Sequence, residues 1–393
     1  MLRNTLDLIR RATGTRRAIT SRRPTSGPYQ VAHVTVVHRP TDNRIMRKEC
    51  AALTEGGVKV ILLAVADRDS TVDGVHIRAL PRRSGRIGRM LLGPVDAWRQ
   101  LRIVRPSLIH VHDPELIPLA VVWRLWPGRR AVYDAHEDFA KQVVGKRYIP
   151  RPILPIAVQL ARLLEVIADR SLDAIVVATP SIGSKYCHAR VVLVQNFPWL
   201  RDFPEPSGST TATPDEVAYV GALTLDRGLD VMISGVKESR HGPRLVLAGP
   251  ADVPATKLLQ AEAPDHVTYA GLLPPTEVPA ILARSRVGLV LLRPLPNNLE
   301  SQPTKLFEYM AAGRPFIASD FPYWRRMLES FDCGLFIDPR NPTELAAAID
   351  TLLDDPSRAG LMGARGRAAI EEHFTFEHQT AALLKLTRDL SHV

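Results

Sequence analysis

The sequence predicts an α/β protein made of two tandem, doubly wound (Rossmann-like) lobes with a cleft between them. Three observations lead there. Short β-rich runs alternate with helical patterns from residue 31 onward, and a second series of the same kind begins at residue 216. Between the two series, RDFPEPSGSTTATP (201–214) is rich in Pro, Ser, Thr and Gly and reads as a linker. A chain of 393 residues also exceeds one ordinary core and suits two domains of common size.

In chain order, residues 1–30 read as a flexible basic arm, in which Leu2, Leu6, Leu8 and Ile9 can form a short interfacial helix. VAHVTVV (31–37) has strand character, NRIMRKECAALTEG (43–56) is helical through Ile45, Met46, Cys50 and Leu53, and VKVILLAV (58–65) is a buried strand. SLIHVH (107–112) and AVYDAH (131–136) are further strands, with a helix from about Pro114 to Trp126 between them. An amphipathic helix is expected over 157–170, with Leu160, Leu163, Leu164 and Ile167 on one face. DAIVVAT (173–179) and RVVLVQN (190–196) close a first lobe spanning 31–200. The second lobe, 215–372, has strands at EVAYVG (216–221), RLVLAG (244–249), HVTYAG (266–271), VGLVLL (287–292) and RPFIAS (314–319). Residues 373–393 read as a final helix able to pack back on the first lobe. Continuous apolar strands separated by helices mean parallel sheets covered on both faces. Ligands of such sheets bind beyond the carboxyl ends of the strands, so the cleft is the expected site.

Composition narrows the class. Hydrophobic residues make up 45% and charged residues 23%, which is globular rather than disordered. LIPLAVVW (116–123) falls well short of the roughly 20 apolar residues that a membrane-spanning helix requires. MLRNTLDLIRRATGTRR lacks the unbroken apolar segment of a secretory signal. Cys50, Cys187 and Cys333 are odd in number and widely spaced, which reads as free thiols in a reducing compartment. A cytoplasmic location is therefore expected. The net charge of +10 is uneven: residues 1–150 hold 27 Lys+Arg against 13 Asp+Glu, and residues 151–393 hold 24 against 28. The segment 82–105 alone carries seven arginines and one aspartate. The first lobe is thus expected to face something anionic, such as an acidic membrane surface, a phosphorylated acceptor or nucleic acid. Nucleic acid rests on charge alone, because no recognition module or aromatic-interleaved basic patch accompanies it. There is no G-x-G-x-x-G, Walker loop, serine elbow or metal-binding carboxylate motif.

The most informative segment is NNLESQPTKLFEYMAAGRPFIASD (297–320). Pro303 suits the first turn of a helix that runs through Met310 and ends at Gly313. Glu300 precedes that helix and Glu308 lies within it, with seven residues between them and with Thr304 and Lys305 at the helix start. A helix N-terminus carries about half a positive charge and free N–H groups, which suit a diphosphate, and Lys305 adds a full charge. A carboxylate such as Glu308 can accept both hydroxyls of a ribose.

This segment resembles the donor-binding signature of family 4 glycosyltransferases, retaining enzymes of the GT-B fold. Glu300 and Glu308 match that family's paired glutamates, and PTKLFEYMAAGRPFIAS is similar to a subgroup acting in bacterial cell-surface polysaccharide assembly. YVGALTLDRGLDVMISG (219–235) resembles the family's first C-lobe strand and phosphate loop, with Arg227 where the family has Lys or Arg. Ala222 stands where many members carry arginine. LAGPA (247–251) resembles the strand end that faces the nucleotide base. HRPTDNRIMRKECAALTEGGVKVILLA (38–64), HVHDPELIP (110–118) and YDAHED (133–138) are similar to the same subgroup, although HRPTDNR replaces the glycine-rich loop of many members.

The resemblance implies a retaining, metal-independent transferase with no cofactor and a nucleotide-diphosphate sugar as co-substrate. It puts the donor on the C-terminal lobe, at Glu308, Lys305, Arg227, Gly221, Gly249, Pro303 and Thr304. Glu300, His112 and His136 are the implied catalytic residues, with Asp113 and Glu137 on the acceptor side. The acceptor is then a glycan or polyprenyl-linked molecule, met at the inner face of the plasma membrane in cell-envelope synthesis. A GT-B epimerase or phosphorylase is the alternative.

Overall fold

In the computed structural model the described residues are 28–145, 149–205, 216–262 and 266–391. The expected basic arm lies outside them up to residue 27, as does most of the linker, residues 206–215. The N-lobe strands are β1 (Val31–Val34), β2 (Val60–Val65), β3 (Ser70–Val72), β4 (Val75–Leu80), β5 (Leu108–Val111), β6 (Arg130–Ala135), β7 (Ala174–Val177) and β8 (Arg190–Leu193). They form one sheet in the order β3-β4-β2-β1-β5-β6-β7-β8, antiparallel only at β3–β4. The C-lobe strands are β9 (Glu216–Val220), β10 (Arg244–Ala248), β11 (Val267–Tyr269), β12 (Val287–Val290), β13 (Phe316–Ser319) and β14 (Gly334–Ile337). Their order is β11-β10-β9-β12-β13-β14, parallel throughout. Strand order reverses at β1/β5 and at β9/β12, which opens a crevice beyond the carboxyl ends of each sheet.

Both faces of each sheet are buried, as near-continuous apolar strands require. Along β1, Ala32 and Val34 enter one core with Leu63 and Val111, while Val31 enters the opposite core with Leu62 and Leu108. The expected strand 31–37 stops at Val34. There the Asp113 carboxylate accepts the Thr35 hydroxyl at 2.9 Å and the Val36 amide at 2.6 Å, and the Thr35 oxygen accepts the His38 amide at 3.0 Å. These bonds turn the chain into the cleft instead of extending the ladder.

The helix Leu154–Ser171 departs from the sequence expectation. Leu164 and Ile167 pack partly buried against the core as expected, but Leu160 and Leu163 are 54% and 53% exposed, and the fully buried positions are Ala161, Glu165, Ala168 and Asp169. The inward carboxylates are satisfied there: Glu165 accepts from Lys185 at 2.8 Å, and Asp169 accepts the amides of His188 and Ala189, each at 3.0 Å. Paired carboxylates can therefore occupy a face that periodicity assigns to leucine.

The last helix, Phe376–Ser391, belongs to the C-terminal sequence but not to the C-lobe core. Its Phe376, Leu383 and Leu386 are buried with Val31, Leu53, Leu62 and Trp199 on the N-lobe. Trp199 packs edge-on against Phe376 with ring centroids 4.9 Å apart. No helix among the described residues is long and apolar enough to cross a membrane.

Candidate functional site

The site is organised by the helix Thr304–Ala311. Leu306, Phe307, Tyr309 and Met310 bury its inner face, and the Tyr309 hydroxyl donates to the Ala218 carbonyl of β9 at 3.0 Å. Its lead-in is tied down as well: Trp324 Nε1 donates to the Ser301 carbonyl and Gln302 Nε2 to the Tyr323 hydroxyl, each at 2.7 Å. Pro303, with φ −67° and ψ 125°, is the N-cap before the first helical turn, not a member of it; its backbone is extended while its carbonyl accepts the Leu306 amide at 3.2 Å. The helix start opens into a cavity of about 640 Å³ between the lobes. Pro303, Thr304, Lys305, Arg227, Thr224 and Glu300 line it from the C-lobe; Asp42, Arg44, His136, Glu137, Lys141 and Asn196 line it from the N-lobe.

Lys305 and Arg227 supply cationic charge to this cavity. Burial lowers the Lys305 ammonium to about 8, helped by the neighbouring Arg227 charge and opposed by Glu308. Its Nζ lies 5.5 Å from the Tyr219 ring centre. The stem reaches this position by crossing Gly221, where a Cβ would collide with Lys305 Cε and Nζ. Gly221 has φ +148° and Gly249 has φ +132°, and a Cβ on Gly249 would strike the Gly221 carbonyl. These two strand ends therefore have no room for a side chain. Ala222 brings no charge; its carbonyl accepts the Tyr219 hydroxyl at 2.9 Å. Glu308 is half-buried one turn along the helix, and it interacts electrostatically with both Lys305 and Lys48.

Glu300 is half-exposed on the loop ahead of the helix, and its Oε2 accepts from Lys141 Nζ across the cleft at 3.0 Å. His136, following β6, faces the cavity; its Nε2 lies 3.1 Å from Asp134 Oδ2. His112 lies beneath it, with its side chain fully buried. Nδ1 is 3.1 Å from His136 Nε2, and Nε2 is 2.9 Å from His33 Nδ1. His112 and Asp113 do not line the cavity, and Asp113 is spent on the turn after β1. Glu137 lines the rim and accepts from Gln142 Nε2 at 2.9 Å.

Sequence reasoning missed a buried polar layer beneath these residues. Arg44 donates to Asp134 at 2.8 and 3.3 Å and lies 3.1 Å from Glu49. Burial alone would raise the Asp134 carboxyl, but Arg44, His136 and His112 hold it well below the usual range. Burial and the Asp134 charge push Glu49 well above its usual value, with Arg44 opposing. Burial keeps His33 and His112 low and lowers His110 to about 3. Two triads, His33–Glu49–His110 and His112–Asp134–His136, bring metal-ligand atoms within 4.8 Å of one another. Lys48, also missed, donates to the Asn196 carbonyl at 3.0 Å and side-chain oxygen at 2.6 Å; burial lowers it to about 7. The available signal was HRPTDNRIMRK itself: Asp42, Arg44 and Lys48 are polar residues at a strand end and on the helical turn behind it.

Two family profiles match the chain, "Glycosyltransferase Family 4" over residues 43–197 and "Glycosyl transferases group 1" over residues 204–369. Together they account for most of its length. The alpha-D-kanosaminyltransferase of Streptomyces kanamyceticus is 31% identical over 36% of this chain and 36% of its own. The glycogen synthase of Mycobacterium tuberculosis is 23% identical over 73% of this chain and 68% of its own. The match to the first of these relatives therefore spans about a third of that enzyme's length. Among solved structures, sucrose-phosphate synthase from Thermosynechococcus elongatus superposes with a TM-score of 0.73 at 16% identity, covering 92% of this chain and 99% of that one. Anabaena HepE, solved with UDP-glucose, superposes with a TM-score of 0.70 at 13% identity, covering 91% and 99%. Paired Rossmann-like lobes, a cationic helix start at their cleft and the two adjoining profile matches lead to one assignment: the chain is a glycosyltransferase of family 4, with the GT-B fold.

Proposed function

We propose that this chain moves a sugar, with retention at the anomeric carbon, from a nucleotide-diphosphate sugar to an acceptor held by the N-lobe. The observation that carries the reading is the convergence of Lys305 and Arg227 on the cavity at the start of the helix Thr304–Ala311. That electrostatic setting suits a diphosphate. Glu308 takes the ribose hydroxyls from one turn along the helix. Pro303 and Thr304 form the cradle's edge, and Gly221 and Gly249 let the backbone approach the nucleotide.

Breaking the sugar–phosphate bond builds positive charge on the anomeric carbon and negative charge on the leaving phosphate. Stabilising that phosphate is the main task of Lys305 and Arg227, each such preorganised group contributing about 2–4 kcal/mol. Glu300 lies at the sugar and phosphate once Lys141 releases it. His136 meets the transferred sugar and acceptor from the N-lobe, backed by His112, while Glu137 sits at the acceptor entrance. The reaction needs no cofactor or metal, so chelation by EDTA leaves transfer intact. The acceptor is a glycan or polyprenyl-linked molecule of the cell envelope, used on the inner face of the plasma membrane. There the cationic N-lobe meets anionic lipid.

The test follows labelled sugar from nucleotide-sugar donors into product. Lys305→Ala and Glu308→Ala are each expected to lower transfer by about thirtyfold or more. Near wild-type transfer in both variants removes the donor assignment. The same product analysis separates a transferase from an epimerase, which returns an altered nucleotide sugar without an acceptor.

A further inference from the structure

His112 Nδ1, His136 Nε2 and Asp134 Oδ2 form a nearly equilateral triangle beside the interlobe cavity. Its edges are 3.1 Å between the histidines, 3.2 Å from His112 to Asp134 and 3.1 Å from His136 to Asp134. Each edge has hydrogen-bond length, yet no placing of protons makes all three of them hydrogen bonds. An imidazole nitrogen either carries a proton or offers a lone pair, and a carboxylate oxygen only accepts. With both nitrogens protonated, two N–H groups face each other; with either one bare, its lone pair faces the carboxylate. One like-to-like contact always remains, and a cation among the three atoms removes it.

The dimensions and donors suit a zinc-class ion. Tetrahedral ligands at about 2.0–2.1 Å from zinc stand about 3.3–3.4 Å apart, close to the edges found here. Two imidazoles with one carboxylate suit zinc and neighbouring transition metals, whereas magnesium and calcium prefer oxygen alone. The fold sets the donors side by side: His112 follows β5, and Asp134 and His136 stand two residues apart at the end of its parallel neighbour β6. Outer contacts orient them. His112 Nε2 lies 2.9 Å from His33 Nδ1, and Arg44 binds Asp134 chiefly through the other oxygen, at 2.8 Å against 3.3 Å. His136, with its side chain 18% exposed, opens the remaining position to the cavity. The second triad, His33–Glu49–His110, is looser, with 3.7 Å from His33 to Glu49, and all three of its side chains are closed off from solvent.

The geometry points to a binding site for one divalent transition-metal ion of the zinc class, held by His112, Asp134 and His136 and facing the cavity. This goes beyond the transfer reading, in which the reaction uses no metal. An ion here claims His136 Nε2 and places two positive charges beside the acceptor entrance, so zinc slows transfer instead of supporting it. Binding does not depend on that reading; the inhibition does.

The experiment titrates the full chain, first dialysed against a chelator, with Zn²⁺, Co²⁺ and Mg²⁺ in separate runs. Wild type is expected to bind one equivalent of zinc, to give the visible absorption of a tetrahedral site with cobalt, and to ignore magnesium. His136→Ala is expected to weaken zinc binding about hundredfold or more, and His110→Gln to leave it unchanged, with melting temperatures verifying that both variants fold. Zinc that fails to bind wild type, or binds His136→Ala equally well, overturns the site. Binding lost in His110→Gln and kept in His136→Ala puts the ion in the inner triad and overturns it too. Zinc is also expected to inhibit labelled-sugar transfer, with EDTA restoring it. Transfer that continues with zinc bound leaves the site standing and removes His136 from the transfer mechanism.

Discussion

Lys305 concentrates the chemistry of the donor side in one ammonium group. Burial and Arg227 hold it down to about 8, so a fraction of the ligand-free protein loses this charge just above neutral pH. A diphosphate restores the charge on binding, so binding takes up a proton where the free lysine is neutral. Affinity for a nucleoside diphosphate is therefore expected to fall by up to about tenfold per pH unit above 8. Lys305→Arg, with a guanidinium that stays charged, flattens that dependence. Calorimetry in two buffers of different ionisation enthalpy reads the proton uptake, and a pH-independent affinity for wild type contradicts it. Stability moves in the opposite sense. Between about 8 and the ordinary lysine value the unfolded chain binds more protons, so the stability contribution of this group rises with pH. At this scale the sequence was only partly legible. Glu300, Lys305 and Arg227 stand in recognisable strings, and each reaches the cavity. Arg44, Lys48 and Asp134 carried no comparable signal, because their partners lie 90 and 148 residues apart in sequence.

Among the elements, apolar runs flanked by helical patterns revealed eleven strands, since a strand covered on both faces must be apolar along its length. Those they hid lie at or beside a sheet edge. Ser70–Val72 and Val75–Leu80 form a hairpin at the sheet edge, turning at Asp73 and Gly74, both with positive φ. GLFI at Gly334–Ile337 closes the C-lobe sheet with only Ile337 fully buried. Helix faces were less legible than strands. Periodicity over 157–170 put Leu160, Leu163, Leu164 and Ile167 on one face; the structure packs only Leu164 and Ile167 of these on the core and buries Glu165 and Asp169 because each finds a partner there.

The whole molecule is held together at a crossover of which the sequence showed only the returning final helix. Phe197, leaving the N-lobe, packs on Phe307 of the donor helix at 4.7 Å and on Phe374 at 5.3 Å between ring centroids. The chain then returns through Phe376 to bury its last helix on the N-lobe. Phe197→Ala is expected to cost about 3–5 kcal/mol in denaturant unfolding, because the side chain is buried in the C-lobe core and supports the donor helix. A loss below about 1 kcal/mol would deny the crossover that structural role. The Lys141–Glu300 pair, by contrast, is half-exposed at both ends and contributes at most about 1 kcal/mol, so it ties the lobes only loosely.

The central claim is that a cationic helix start grips a diphosphate in the interlobe cavity. Calorimetric titration of nucleoside diphosphates against wild type and Lys305→Ala tests it most directly. Binding of at least one diphosphate, far weaker binding of its parent nucleoside, and a loss of about tenfold to a hundredfold in the variant are the expected results. Equal affinity for nucleoside and diphosphate, unmoved by Lys305→Ala, would contradict it.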